Sequence, residues 1–360
     1  MADKPAWRFS APAITASIST ASTFEQDNKM RLSGLAGCVF GLIALAATMA
    51  PPARAADFKP AIVFDEGGRD DHAFNQAAEE GAERFKAETG IDYLSADVSK
   101  TVDHEAALRQ VAQQGATIIV AVGYAYSAPV ETVAKDFPNT EFTVIDGDAM
   151  GPNIQTVTMR EQEGSYLVGM VAAMASKTGK IGFIGGIDMP LIRKFAAGYK
   201  LGALRVNPHI EVVEDHVGVD AQAWDDPTKA EALARHEIHD GADVIYAAAG
   251  ASGVGVYKAA KEAGTLAIGV DTNQNGLFPG TMLTSMVKRV DVVVEKAFLS
   301  ARDGTWTAGP INLGLANGAV GWALDDNNRA LISPAMEKRV NAVAQDIIAG
   351  RIRVSDYIER

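Results

Sequence analysis

Three aspartates stand where short apolar runs end. Asp65 closes 61–65, Asp146 follows 141–145 in Val-Ile-Asp-Gly, and Asp271 follows 266–270 in Gly-Val-Asp-Thr. If those runs are parallel strands, the carboxylates lie beyond their carboxyl ends, where open α/β sheets hold ligands. A carboxylate there accepts two hydrogen bonds, from ring N–H groups or from a pair of neighbouring hydroxyls. Lys288, closing Thr284-Ser285-Met286-Val287-Lys288, would donate to the same hydroxyl oxygens and pair with one of the aspartates. Phe74 lies between Asp70-Asp71-His72 and Asn75-Gln76, polar company for a core ring, and offers a face on which a flat heterocycle can stack. Asn75 carries donor and acceptor on one group and suits a ring edge. Tyr124 follows Ala121-Val122-Gly123, and Trp224 sits in the polar loop 221–227. Gly250 opens Gly-Ala-Ser-Gly-Val-Gly, where missing side chains let backbone N–H groups approach a ligand. Each residue type also has an ordinary use: aspartate caps helices, phenylalanine fills cores, lysine covers surfaces. Asp70 and Asp71 read as caps of the first helix.

Other chemistries find no anchor. His236 and His239 sit at i, i+3 with no third ligand, so they read as solvated helix histidines and no metal is expected. No G-x-S-x-G elbow accompanies the serines and histidines. Residues 250–255 lack the ordered G-x-G-x-x-G of a dinucleotide fold, which argues against an NAD-dependent Rossmann enzyme; no cofactor is expected. A net charge of −12 argues against nucleic acid, which needs a basic footprint. The one cysteine, Cys38, lies in an N-terminal apolar stretch, leaving the rest of the chain without disulfide or thiolate chemistry.

The elements that would position these residues repeat. With 48% hydrophobic and 22% charged residues over 360 positions, the chain can build about two cores of ordinary size. Strands are expected at 61–65, 91–95, 117–122 and 141–145, with helices starting near Asp71, Val102 and Ser127. The rhythm restarts with strands at 180–184, 210–217, 243–247 and 266–270 and helices near Leu191, Pro227 and Gly253. Continuous Val/Ile runs alternating with helices mean buried parallel strands, hence α/β lobes with doubly wound sheets. Segments 282–286, 311–315 and 320–324, with helices from Asp291 and Pro334, read as shared between lobes, a multi-strand hinge. The expected division is 57–158 with 287–316 as the N-terminal lobe, and 159–286 with 317–360 as the C-terminal lobe.

Residues 1–55 read as an upstream extension plus an export signal. Met30-Arg31 gives a basic start, 35–49 is uncharged and apolar, and Ala53-Arg54-Ala55 matches the small-residue cleavage pattern. Met30 to Ala55 is roughly 26 residues, within the usual window, which makes the mature protein periplasmic. Leu35-Ala36-Gly37-Cys38 also fits a lipoprotein box, but the apolar run then falls after the cut, so anchoring through Cys38 is the lesser alternative.

Residues 63–75, Val-Phe-Asp-Glu-Gly-Gly-Arg-Asp-Asp-His-Ala-Phe-Asn, resemble the opening signature of the basic membrane protein family, the purine-nucleoside-receptor type of substrate-binding protein. Further matches follow in order: EQEGSYLVG at 161–169, KTGKIGFIGG at 177–186, GADVIYAAAGASGVG at 241–255, IGVD at 268–271 and LTSMVKRVD at 283–291. The resemblance implies the type I periplasmic-binding-protein fold, with a nucleoside between the lobes delivered to an inner-membrane ABC permease. It implies ribose contacts for Asp146, Asp271 and Lys288, and base contacts for Asp65, Phe74 and Asn75. His72, where lysine or arginine is common, and Trp224, where phenylalanine is usual, depart from the pattern. A sensory receptor with the same fold, docking on a membrane signalling protein, stays open beside transport.

Overall fold

The apolar runs pair as parallel strands, and the strand ends meet in the middle of the molecule. The computed structural model describes residues 58–98 and 103–357. The export segment, Cys38 and the helix start at Val102 lie outside the described residues. The first sheet is built from β1 (Pro60–Phe64), α1 (Phe74–Thr89), β2 (Leu94–Asp97), α2 (His104–Gln113), β3 (Ile118–Val122), α3 (Ser127–Asp136), β4 (Glu141–Ile145) and β5 (Ile154–Met159). The second follows with α4 (Glu161–Ala175), β6 (Lys180–Ile187), α5 (Pro190–Val206), β7 (Glu211–Gly218), α6 (Pro227–His239), β8 (Val244–Ala248), α7 (Gly253–Ala263), β9 (Leu266–Asp271) and β10 (Met282–Lys288). The chain then returns: α8 (Val290–Arg302) packs on α1 and β11 (Gly309–Leu313) pairs with β5. It crosses once more, so that β12 (Val320–Trp322) runs antiparallel on β10 and α9 (Pro334–Ile348) packs on α4.

Strand order is β11-β5-β4-β3-β1-β2 in one sheet and β12-β10-β9-β8-β6-β7 in the other. Every residue of β1, β3 and β8 is buried, as helices on both faces of a parallel sheet require. In each sheet the winding reverses beside the first strand, with β1 between β2 and β3 and β6 between β7 and β8. That reversal opens a crevice at the carboxyl ends. This is the two-lobed α/β architecture of periplasmic binding proteins. Phe85 on α1 meets Phe58 and Phe298 edge-on, with ring centroids 6.2 and 5.2 Å away, fastening the returning α8 to the first lobe. Truncating such a buried ring costs about 3–5 kcal/mol.

Three elements differ from expectation: β5 (Ile154–Met159), a strand that no expected run covers, β2 and α4. β2 begins at Leu94, not at Ile91, because α1 ends on left-handed Gly90 (φ 71°) and 91–93 turn back over it. Tyr93 bonds Glu83 at 2.6 Å and packs near Phe298, so pairing with β1 starts at Leu94 opposite Ala61. α4 was not foreseen as a helix. It is buried on nearly every side from Glu161 to Ala172, so it has no amphipathic stripe to recognise. Its backbone touches that of α5: a β-carbon on Gly169 would stand 2.0 Å from the Tyr199 carbonyl oxygen, and one on Gly202 1.9 Å from that of Tyr166.

Candidate functional site

Asp65, Phe74, Asn75, Tyr124, Asp146, Trp224, Gly250, Asp271 and Lys288 all line one cavity between the lobes. Its space is about 630 Å³ counted out to the solvent at its mouth, and about 70 Å³ as an enclosed cavity, so the lobes stand close together around it. The strand ends deliver these side chains: Asp65 follows β1, Tyr124 follows β3, Asp146 follows β4, Gly250 follows β8, Asp271 ends β9 and Lys288 ends β10. Asp146 and Asp271 hold left-handed backbone, φ 66° and 63°, which costs energy for a residue with a β-carbon. Equivalent positions in the two lobes thus carry the same strain and present their carboxylates to the same cleft.

One end of the cavity is ionic. Lys288 is 2% exposed, and its ammonium binds Asp146 in a short contact and lies 3.0 Å from Glu161 Oε1. Burial alone would lower the Lys288 pKa; Asp146, Glu161 and Asp271 outweigh it and hold the amine well above its usual range. Asp271 responds oppositely: burial pushes its carboxyl up to about 7 against the pull of Lys288, and Asp71, Asp146 and Glu161 add to the rise. Asp146 is also raised, by burial first. Asp146 Oδ1 is buried without a hydrogen-bond partner, an acceptor directed at the site.

Aromatic rings stand against that ionic group and line the rest of the cavity. Phe74 and Phe195 face the Lys288 ammonium, their ring centroids 5.2 and 5.6 Å from Nζ. Trp224, in the short helical turn Ala221–Trp224, lies against the β6 backbone: a β-carbon on Gly186 would stand 2.2 Å from its Cζ3. Burial raises the Tyr124 pKa, opposed by the nearby Trp224 side chain. Asp65 Oδ1 accepts from the Glu66 N–H at 2.9 Å and lies 3.7 Å from His104 Nε2. The lobes also touch where the His72 carbonyl accepts from Thr272 Oγ1 at 2.6 Å and Gln274 Nε2 at 2.8 Å.

Several residues work differently from expectation. The Asn75 amide donates to the carbonyls of Asp65 and Gly68 and accepts from the Asp65 N–H, so it shapes loop 65–68 in place of reading a ring edge. Gly250 has φ 56°, and a β-carbon there would stand 3.3 Å from the Trp224 carbonyl oxygen; it seats Trp224. Gly255 is demanded by α6, since its β-carbon would stand 1.9 Å from the Pro227 carbonyl oxygen. Asp71 accepts from the N–H groups of Ala73, Asn75 and Gln76, a cap, and also lines the cavity. His236 and His239 are exposed beside Asp240, and no group of three metal-binding side chains occurs among the described residues.

Sequence reasoning missed Glu161, Lys194, Phe195, Leu191, Ile192 and His104. Glu161 stood in a recognised motif, but a lone acid before an apolar run looks like a helix start. Phe195 reads as core, and it is both core and cavity wall.

The family model described as "ABC transporter substrate-binding protein PnrA-like", Bmp, matches residues 58–357. The chain belongs to the Bmp family. Among other Bmp relatives, the CD4+ T-cell-stimulating antigen of Listeria monocytogenes is 32% identical over 326 residues, covering 83% of this chain and 88% of that protein. The "ABC transporter nucleoside-binding protein BmpA" of Lactococcus lactis subsp. cremoris is 32% identical over 321 residues, covering 83% and 89%. A solved ABC-transporter solute-binding protein of Aeropyrum pernix superposes with a TM-score of 0.76 at 28% identity, covering 84% of this chain and 94% of that one. As a Bmp protein the chain is a substrate-binding protein of the ABC-transporter class and not an enzyme, with a small-molecule ligand and a permease partner.

Proposed function

We propose that this Bmp protein is a periplasmic receptor that closes around a purine nucleoside and delivers it to an inner-membrane ABC permease. The observation that carries the reading is the two-ended cavity. Trp224 and Tyr124 stand at one end and paired carboxylates with a buried ammonium at the other, with the Phe74 ring against that ammonium. A flat base matches the first and vicinal hydroxyls match the second. Acidic side chains outnumber Lys288 around the cavity, with Asp65, Glu66, Asp71, Asp146 and Asp271 all lining it, so a phosphorylated nucleotide is disfavoured. The name of the Lactococcus relative supports the same class. Closure would bury the ligand and present a two-lobe surface to the permease. Asp271 and Lys288 would hold the ribose, and Phe74 and Trp224 the base. Calorimetry with adenosine, inosine, cytidine, ribose and adenosine monophosphate tests it: purine nucleosides should bind most tightly, and preferred binding of the monophosphate or of ribose alone would overturn it. Export through the 30–55 signal predicts a secreted form beginning at Ala56; N-terminal sequencing that finds a lipid-modified Cys38 would replace soluble export with anchoring.

A further inference from the structure

Lys288 has two carboxylate partners, and they stand on different sides of the moving joint. Asp146 follows β4 in the first lobe. Glu161 opens α4, which packs on α5 and β10, the strand that carries Lys288. The division expected from sequence puts Lys288 with 287–316 in the first lobe, but β10 keeps it in the second sheet, opposite Val320 of β12. Parting the lobes would therefore take Asp146 away from Lys288 and leave Glu161 beside it. Glu161 is fully buried; its Oε1 lies 3.0 Å from Lys288 Nζ and its Oε2 3.1 Å from Lys194 Nζ. Lys194 also donates to the Met159 carbonyl at 3.3 Å, in the segment where the chain first passes between lobes. Charges therefore alternate from the cleft to the hinge: Asp146, Lys288, Glu161, Lys194.

We infer that Glu161 is the positioning residue for Lys288, holding the ammonium aimed into the cleft while the lobes are apart, with the Lys288–Asp146 pair forming only on closure. A buried cation left without a partner is strongly disfavoured, so a receptor that opens needs one counter-ion that stays with it. The groups facing Lys288 are Asp146 from β4, Asp271 from β9 and Glu161 from α4, with the Phe74 and Phe195 rings against it. Lys194 of α5 stands behind Glu161, and Asp71 acts on Asp271. The consequence for binding rests on the nucleoside reading; the charge of Lys288 does not.

The first arm of the test is ligand-free. A ¹³C NMR titration of the Lys288 Cε, assigned against Lys288→Met, should show the wild-type amine charged to the alkaline limit of folding. In Glu161→Gln it should lose its proton at lower pH, because burial is opposed by one carboxylate fewer. The second arm is stopped-flow binding of adenosine. Glu161→Gln removes the close ion pair with Lys288 and should slow association about tenfold to a hundredfold while leaving dissociation near wild type. Asp146→Asn should do the reverse and speed dissociation. Should Glu161→Gln fail to fold, Lys194→Met carries the test: it frees one side of Glu161 and should slow association by a smaller factor while Lys288 stays charged. An unchanged Lys288 titration in Glu161→Gln, unchanged association in Lys194→Met, or a loss that falls on dissociation overturns the assignment. If wild-type protein binds no purine nucleoside, the nucleoside reading falls, and the NMR arm still decides the role of Glu161.

Discussion

The two ends of the cavity solve recognition in different ways. At the ionic end Asp146, Asp271, Glu161 and Lys288 are all buried, strained or tightly paired, and the charge states of Asp146, Asp271 and Lys288 depend on their neighbours. Phe74, against the Lys288 ammonium, and Trp224, at the aromatic end, are only partly buried, and their positions come from backbone: the start of α1 and the glycine seats at 186 and 250. A coupled ion cluster transmits any change to its neighbours and to pH, whereas stacked rings respond to shape alone. The same cavity should therefore show large, pH-dependent effects at one end and modest, shape-dependent effects at the other.

The sharpest break is Lys288→Met. It strands Asp146 as a buried, unpaired carboxylate, leaves Glu161 with Lys194 alone, and should cost about 3–5 kcal/mol of stability in a denaturant titration, together with nucleoside binding. Asp271→Ala comes next, weakening nucleoside binding by about 1–3 kcal/mol while a free base loses less. Equal losses for base and nucleoside in calorimetry would remove Asp271 from the ribose contact.

Asp271 also predicts a pH dependence whose sign follows from its raised carboxyl. The fold holds this proton more tightly than the unfolded chain does, so the group's contribution is most favourable below about pH 4. It is lost as pH rises through about 7, a change of up to about 4 kcal/mol in the ligand-free protein. Ribose hydroxyls donate to the ionised form, so nucleoside affinity should run the other way and weaken as pH falls from about 8 to 6. Asp271→Asn should flatten the affinity profile and remove one step from the stability profile, in which Glu237, pushed up to about 9 by burial, still titrates; an affinity profile that survives it would place the titrating group elsewhere.

Effects at the aromatic end should be smaller. Trp224→Ala should reduce purine over pyrimidine preference by about 1–3 kcal/mol with little change in ribose-dependent binding. Gly186→Ala should do part of the same, since its β-carbon would displace the indole from 2.2 Å. If Gly186→Ala lowers stability but leaves base preference intact, the seat of Trp224 is a packing device and nothing more.

Strand-end residues were legible from sequence because one rule, acid or lysine directly after an apolar run, locates the cleft side of a parallel sheet. That rule reached Asp65, Asp146, Asp271 and Lys288 in both lobes. It could not reach Glu161, Lys194 or Phe195, which arrive from helices, and α4 gave no periodic signal because it is buried all round. Nor could composition separate a ligand contact from a loop brace. Asn75 and Gly250 have the right types in the right places, yet their hydrogen bonds and backbone angles bind them to 65–68 and to Trp224. The shift of β2 came from the same source, since the left-handed cap at Gly90 lets 91–93 turn before pairing begins.

The most direct test of the two-ended cavity is one calorimetric double-mutant cycle. Adenosine and free adenine are titrated into wild type, Asp271→Ala, Trp224→Ala and the double variant at pH 8. The account predicts that Asp271→Ala reduces adenosine binding far more than adenine binding, that Trp224→Ala reduces both alike, and that the two losses add for adenosine. Additivity is expected if the two residues hold opposite ends of the nucleoside, as proposed, and share no partner. A Trp224→Ala variant with unchanged affinity for both ligands, or an Asp271→Ala variant that loses adenine as heavily as adenosine, would contradict it.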